Sequence, residues 1–403
     1  RLEVIGDGGI AYSPQHLRDA LARIRDEAAA APADIPAPGH LTTLARADWA
    51  QVRQSLMTYA ASNRTALDDL EAALFCLCLD HEVPADEHAA CDALLHGGRG
   101  NRWFDKSLSL VVLGDGRAGV NIEHCGLDGT TVLGFVDAVL GYMAQEPVHP
   151  ADAREPGEPA FDWLSFELDG ALRARIGQAA ADFAAFADAT VSLPLSFDHA
   201  GAQRIKGLGV SPDAFVQMAF QRAQWTARGF IGATYESIAT RQYRHGRTEA
   251  MRVITPQVRD FVATMADPAQ DRIARRQALR AAIDAHVARA RQCQAIDAPE
   301  QHLWELLLLA GRQGLPAPPL AATPGWRALR DDVLSTSSAP SPNIRHFGFG
   351  ATSARCIGVA YVLLPSRLNL YLSAPRTLSE ELTRFGTALD AALHELADLL
   401  ADN

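Results

Sequence analysis

The sequence predicts a mixed α/β protein of two domains, and three observations carry that reading. The chain has 403 residues, too many for one ordinary core and enough for two, at a prior of roughly 150 residues per domain. Strand-like and helix-like stretches occur in both halves without strict alternation, which argues against a doubly wound parallel sheet. A proline-rich stretch without periodicity, Q-E-P-V-H-P-A-D-A-R-E-P-G-E-P-A-F over 145–161, separates the halves as a linker.

The elements follow in order. Residues 14–31 have helical spacing with charged faces, and the loop P-A-D-I-P-A-P-G-H comes after them. Residues 47–57 and 64–78 read as further helices, with Cys76, Leu77 and Cys78 as core. S-L-V-V-L, the Gly-rich G-D-G-R-A-G and Val120–Ile122 read as a hairpin. Thr130–Met143 returns to helix, and 168–190, 211–228 and 270–292 are helices of the second half. Cys356–Leu364 and Leu368–Leu372 form a second hairpin, and Leu378–Leu400 closes the chain as an amphipathic helix.

Composition narrows the function. At 48% hydrophobic residues the chain is not disordered throughout. Its formal net charge is −11, from 37 basic and 48 acidic residues, which argues against nucleic acid or an anionic membrane as a main partner. The longest apolar runs, such as Leu306–Ala310, fall far short of the ~20 residues that span a bilayer. No signal or transit pattern opens the chain, which begins at Arg1 rather than Met. Six cysteines without C-x-x-C spacing point away from a disulfide scaffold or structural zinc and toward a reducing, cytoplasmic setting. Only two of the 37 basic residues are lysines, Lys106 and Lys206, which marks them as positions where a compact ammonium could matter.

The sharpest local feature is N-I-E-H-C-G-L-D-G at 121–129. It places His124 at the end of a strand before a D-G turn, with Asp128 four residues on, close enough to orient the imidazole or a neighbouring cation. A neutral imidazole is the natural base for a hydroxyl near neutral pH. G-x-S-x-G, H-E-x-x-H and P-loop patterns are missing from the sequence. Gly97, Gly98, Arg99 and Gly100 fit no phosphate motif and read as a turn.

Four further stretches change the picture together: R-W-F-D-K at 102–106, S-P-D-A-F at 211–215, A-T-Y-E-S with G-R-T between 233 and 248, and S-T-S at 335–337. With E-H-x-x-x-D-G, in this order, the set resembles the carnitine/choline O-acyltransferase family over nearly the whole chain, from about residue 10 to 403. The resemblance implies two chloramphenicol-acetyltransferase-like domains with an active-site tunnel between them. Residues 1–165 would form the His-bearing domain and 166–403 the second. It also implies that the opening third of a typical family chain is missing, either because this is a short member or because that portion was removed or not included.

The remaining assignments are what the resemblance implies. His124 matches the general base, Asp128 its acidic partner, Arg247 the arginine paired with that acid, and Ser337 the hydroxyl that stabilises the oxyanion. Lys206 matches one of two lysines on the 3′-phosphate of coenzyme A, and Asp213 and Glu236 match positions near the nucleotide. The other phosphate lysine falls on Ala202, with Arg204 nearby. That departure admits a carrier-protein phosphopantetheine as an alternative donor. Tyr235, Thr248 and Ser335 match acceptor-binding residues, and Phe349 the aromatic facing a trimethylammonium group.

Carnitine-specific members carry Arg, and choline-specific members Asn, where this chain has Gln301. The expected acceptor is therefore a small alcohol or amine other than carnitine. Phe347 stands where long-chain members carry Gly, and so favours a short or compact acyl group. No tightly bound cofactor is expected, because the acyl thioester is a co-substrate. A non-catalytic binding fragment is the reading from another class, and the intact His124, Asp128, Arg247 and Ser337 argue against it.

Overall fold

The computed structural model describes residues 1–30, 35–145 and 157–401, so the linker read over 145–161 lies mostly outside the described residues. The chain divides into two compact units. The first comprises Arg1–Leu127 and Ala138–Ala187, and the second Asp128–Asp137 and Asp188–Asn403.

The first unit begins with α1 (Pro14–Ala29), started by Ser13, whose hydroxyl accepts from the His16 amide. It continues through α2 (Arg46–Tyr59), α3 (Ala61–Ala72), β1 (Cys76–Leu79), α4 (Glu87–His96), β2 (Leu108–Val112) and β3 (Ala118–Ile122). Next comes α5 (Gly129–Met143), whose first residues belong to the second unit, and then α6 (Gly170–Asp188). The three strands form one sheet in the order β1-β2-β3, with β1 parallel to β2 and β3 antiparallel to it. A separate helical core gathers Leu41, Trp49, Leu56 and Leu67 with Leu172, Ile176 and Ala179 of α6.

One sequence expectation is corrected here. Residues 64–78 are not one helix: α3 stops at Ala72, Ala73 turns to an extended backbone, and Cys76–Leu79 becomes a strand. Partner strand β2 supplies a ladder for Cys76–Leu79, so long-range pairing overrides the local helical spacing. Cys78 is buried, as a core position should be, and Cys76 is half-buried.

The R-W-F-D-K motif proves to be the knot of this unit. Arg102 is buried and forms a two-pronged pair with Asp80, with nitrogen–oxygen distances of 2.9 and 2.7 Å. Trp103 stacks on Phe166 and meets Trp49 edge-on. Asp105 accepts from the Trp49 indole at 2.7 Å. Lys106 donates to the carbonyls of Leu70 and Glu71 at 2.8 and 3.0 Å, satisfying the C-terminal end of α3. The first of the two lysines thus has a structural task that a point-like ammonium suits.

The second unit contains β4 (Thr190–Phe197), α7 (Ala202–Gly207), α8 (Pro212–Arg228), β5 (Thr234–Ala239), β6 (Thr248–Arg252), α9 (Pro256–Ala266), α10 (Arg272–Gln294), α11 (Glu300–Arg312), α12 (Pro324–Arg330), β7 (Leu334–Ser338), β8 (Ile357–Leu363), β9 (Leu368–Pro375) and α13 (Ser379–Leu400). Its six strands run β4-β9-β8-β7-β5-β6, parallel across β8, β7 and β5 and antiparallel elsewhere. The class is mixed α/β, as the sequence predicts. One face of the sheet packs under α8, α10 and α13 around Phe215, Phe220, Phe261, Tyr361, Phe385 and Leu389. Successive strand residues point to opposite faces, and the burial of β5 shows it, with Thr234, Glu236 and Ile238 buried and Tyr235, Ser237 and Ala239 half-buried.

Candidate active site

The face of the second sheet turned away from α8, α10 and α13 gathers several residues singled out in the sequence. Tyr235 pairs in register with Ser335 on one side and Arg252 on the other, so these three side chains share a face. Ser337 lies two residues beyond Ser335 on β7 and joins them. Thr248 reaches the same face by the β5–β6 register. Thr336, between the two serines, points to the helices instead. There it accepts from Gln217 at 2.9 Å and donates to the Tyr235 carbonyl at 2.9 Å. The S-T-S motif therefore presents two hydroxyls to one side while the third locks the strand to α8.

Gly358 pairs with Ser335, and its lack of a side chain makes room for Phe349. A Cβ there would stand 2.9 Å from the Phe349 ring and 2.6 Å from Ser373 Oγ. Ser373 donates to the Phe349 carbonyl at 2.7 Å, which holds the ring near Ser335. Phe347 lies with its ring centre 5.9 Å from that of Phe349.

Asp128 and Arg247 come together as the motifs imply. Arg247 Nη2 donates to Asp128 Oδ1 at 2.8 Å and its Nε to the same oxygen at 3.1 Å. The D-G at 128–129 is not a turn: Asp128 precedes α5, and its carbonyl accepts from Thr131 and Val132. A helix start needs an acceptor at that position, and Asp is among the residues favoured there.

His124 belongs to the first unit, two residues past the end of β3, and is exposed. Its Nδ1 lies 2.6 Å from the Leu127 carbonyl oxygen. A carbonyl can only accept, so Nδ1 carries a proton in this contact, which fixes the orientation of the ring.

Lys206 is exposed on α7 and lines a cavity of about 360 Å³ with Ser211, Arg280, Ile283 and Asp284. Ser211 caps α8, accepting from the Ala214 amide, and Pro212 opens the first turn. Arg204, the basic residue near Ala202, donates to the His199 carbonyl at 3.1 Å. The second cation beside Lys206 is Arg280, from α10, which sequence reasoning missed because it is remote in the chain and one of many arginines.

Asp213 and Glu236 lie together on the helix side of the sheet, with the His286 imidazole 3.5 Å from Asp213 and 3.4 Å from Glu236. Tyr361 donates to Asp213 at 2.6 Å. Burial and then the neighbouring Asp213 charge push the Glu236 carboxyl well above the usual range, so Glu236 is the proton-carrying member of the pair.

Gln301 is the second residue of α11. Its side chain donates to Glu305 at 2.9 Å and its amide to Glu249 at 3.3 Å. The preceding residue, Glu300, is buried and holds both Arg252 and Arg330, while Arg252 also pairs with Asp332. Arg252 thus has its charge matched by two carboxylates, and two acids flank Gln301.

With that geometry in place, the relatives can be compared. A family model described as choline/carnitine O-acyltransferase matches residues 1–391. The chain belongs to this family. Carnitine O-palmitoyltransferase 2 of Xenopus tropicalis is 32% identical over 378 residues, covering 91% of this chain and 56% of that protein. The human protein of the same name is 31% identical over 404 residues, covering 99% and 60%. A putative mitochondrial carnitine O-acetyltransferase of Saccharomyces cerevisiae is 28% identical over 408 residues, covering 89% and 59%. The chain therefore spans little more than half the length of these family members. Within the described residues, no helix is long and apolar enough to cross a membrane.

Proposed function

We propose that the protein transfers a short acyl group from coenzyme A to a small alcohol or amine, with His124 as general base. Support comes above all from the Nδ1 contact of His124 with the Leu127 carbonyl, which orients the ring so that Nε2 would be the atom taking the proton. The acceptor oxygen would attack the thioester carbonyl carbon while its proton passes to Nε2. The tetrahedral oxyanion would be held by the Ser337 hydroxyl, a kind of contact worth roughly 3–4 kcal/mol of barrier. Collapse breaks the carbon–sulfur bond, and the imidazolium returns its proton to the leaving thiolate. No acyl-enzyme is formed. The Asp128–Arg247 pair serves as a positioning element.

For the donor, Lys206 and Arg280 beside the capped start of α8 suit a phosphate. Arg280 supplies the second cation that Ala202 does not, which favours coenzyme A over a carrier-protein arm. Asp213 and Glu236 act behind this site, with Glu236 too buried, at 5% exposure, to meet a ligand directly. Lys206→Ala is expected to raise KM for acyl-CoA about tenfold and leave acyl-pantetheine nearly unchanged, a difference of about 1.4 kcal/mol. Equal changes for both donors would mean that Lys206 does not read the 3′-phosphate.

For the acceptor, the relatives carry carnitine in their names, whereas the reading for this chain rests on Gln301. A carnitine carboxylate beside Gln301 would lose hydration without gaining a full positive charge, at a cost of about 1.5–3 kcal/mol. Glu305 and Glu249 make that surrounding more hostile still to an anion. Phe349 suits a cationic or apolar acceptor group, and Phe347 a compact acyl chain. The deciding experiment is thiol release from a series of acyl-CoAs with carnitine, choline, neutral alcohols and amines. Gln301→Arg is expected to raise kcat/KM for carnitine at least tenfold over wild type while lowering it for choline. Efficient carnitine acylation by the wild type would overturn the acceptor assignment but leave the transferase reading intact.

A further inference from the structure

Away from the sheet face described above, two histidines from distant parts of the chain meet on the second unit. His199 lies in the loop between β4 and α7, and His394 lies on α13, one turn after Asp390. The two rings are 3.8 Å apart and 11° from parallel. Asp390 Oδ1 lies 3.3 Å from His199 Nε2 and 4.0 Å from His394 Nε2. One donor atom from each of the three side chains falls within 4.8 Å of the other two. His199 Nε2 is buried yet makes no hydrogen bond among the described residues.

The surroundings hold this arrangement in place. Phe197 meets the His199 ring edge-on at 5.7 Å, and Arg204 ties down the His199 carbonyl. Asp390 and His394 are four residues apart on one helix, so they share a face.

Two imidazoles and one carboxylate are borderline donors that suit zinc-like ions, whereas magnesium prefers oxygen donors. Tetrahedral zinc, with bonds of about 2.0–2.2 Å, sets its donors roughly 3.3 Å apart. His199 and Asp390 already have that spacing. The parallel stack aims the two imidazole lone pairs side by side, so His394 must turn out of the stack for both rings to point at one ion, and its side chain is 53% exposed and able to do so.

We propose that His199, Asp390 and His394 form a binding site for a zinc-type divalent ion, with water completing its shell. The bound ion would clamp the loop that leads into α7, the helix bearing Lys206, against α13. The test is calorimetric titration of ZnCl2 into the untagged, chelator-treated protein, with MgCl2 in parallel. Wild type is expected to bind one zinc equivalent that His394→Ala and Asp390→Asn each weaken at least tenfold, and to bind no magnesium at the site. Zinc should raise the Tm of wild type and not of His394→Ala. Cys125→Ser, next to His124, should keep the equivalent. Unchanged zinc affinity in His394→Ala, or loss of the equivalent in Cys125→Ser, would overturn the proposal, as would a wild type that binds no zinc.

Discussion

His124→Ala is expected to slow acyl transfer by roughly 10²–10⁴-fold, the range a positioned general base supplies. The residue is exposed, so its loss opens no core cavity, and the thermal midpoint should stay near that of the wild type. The variant therefore separates chemistry from folding. Its KM for acyl-CoA should change little, because the proposed phosphate contacts lie at Lys206 and Arg280. A rate within tenfold of wild type would remove His124 from the base role.

Glu300→Ala is expected to give the largest loss of stability, about 3–5 kcal/mol. Glu300 is 5% exposed and sits between Arg252 and Arg330. Removing it leaves two guanidinium groups short of a partner, with Arg252 itself only 11% exposed at the side chain. Asp332 still neutralises part of the Arg252 charge, which keeps the loss from being larger. The comparison is Asp198→Ala, which breaks an ion pair to Arg367 whose side chains are 77% and 37% exposed. That change should cost under about 1 kcal/mol, because water screens an exposed pair. Urea denaturation of both variants reads the difference directly. A loss below about 1 kcal/mol for Glu300→Ala would mean that the network adds no net stability. Because Glu300 begins α11, its loss should also disturb Gln301 and the acceptor preference read from it.

Local patterning made much of the fold legible. Helices α1, α2, α5, α8, α10 and α13 and both hairpins follow from periodicity, caps and Gly-rich turns. Strands β5, β6 and β7 were not separately legible. Their residues, T-Y-E-S-I-A, T-E-A-M-R and L-S-T-S-S, are polar at alternate positions and lack a continuous apolar run. They become strands because neighbours in the sheet accept their backbones. Helix α3 and strand β1 were merged for the same reason, since the pairing that separates them comes from a strand some thirty residues later.

The candidate site divides in the same way. Sequence alone determined the family and named the residues that a linear motif can carry: His124, Asp128, Arg247, Lys206, Gln301 and the two serines of S-T-S. Tertiary structure decided which of them meet. It paired Asp128 with Arg247, turned Ser335 and Ser337 to one face and Thr336 to the other, and buried Glu236 beside Asp213 and His286. It also placed Arg280 beside Lys206, and brought His199 against His394 across nearly two hundred residues. The physical reason is that a motif records residues whose spacing along the chain is constrained by one loop or one strand. The approach of α7 to α10, or of a loop to α13, depends on packing distances that no local spacing encodes.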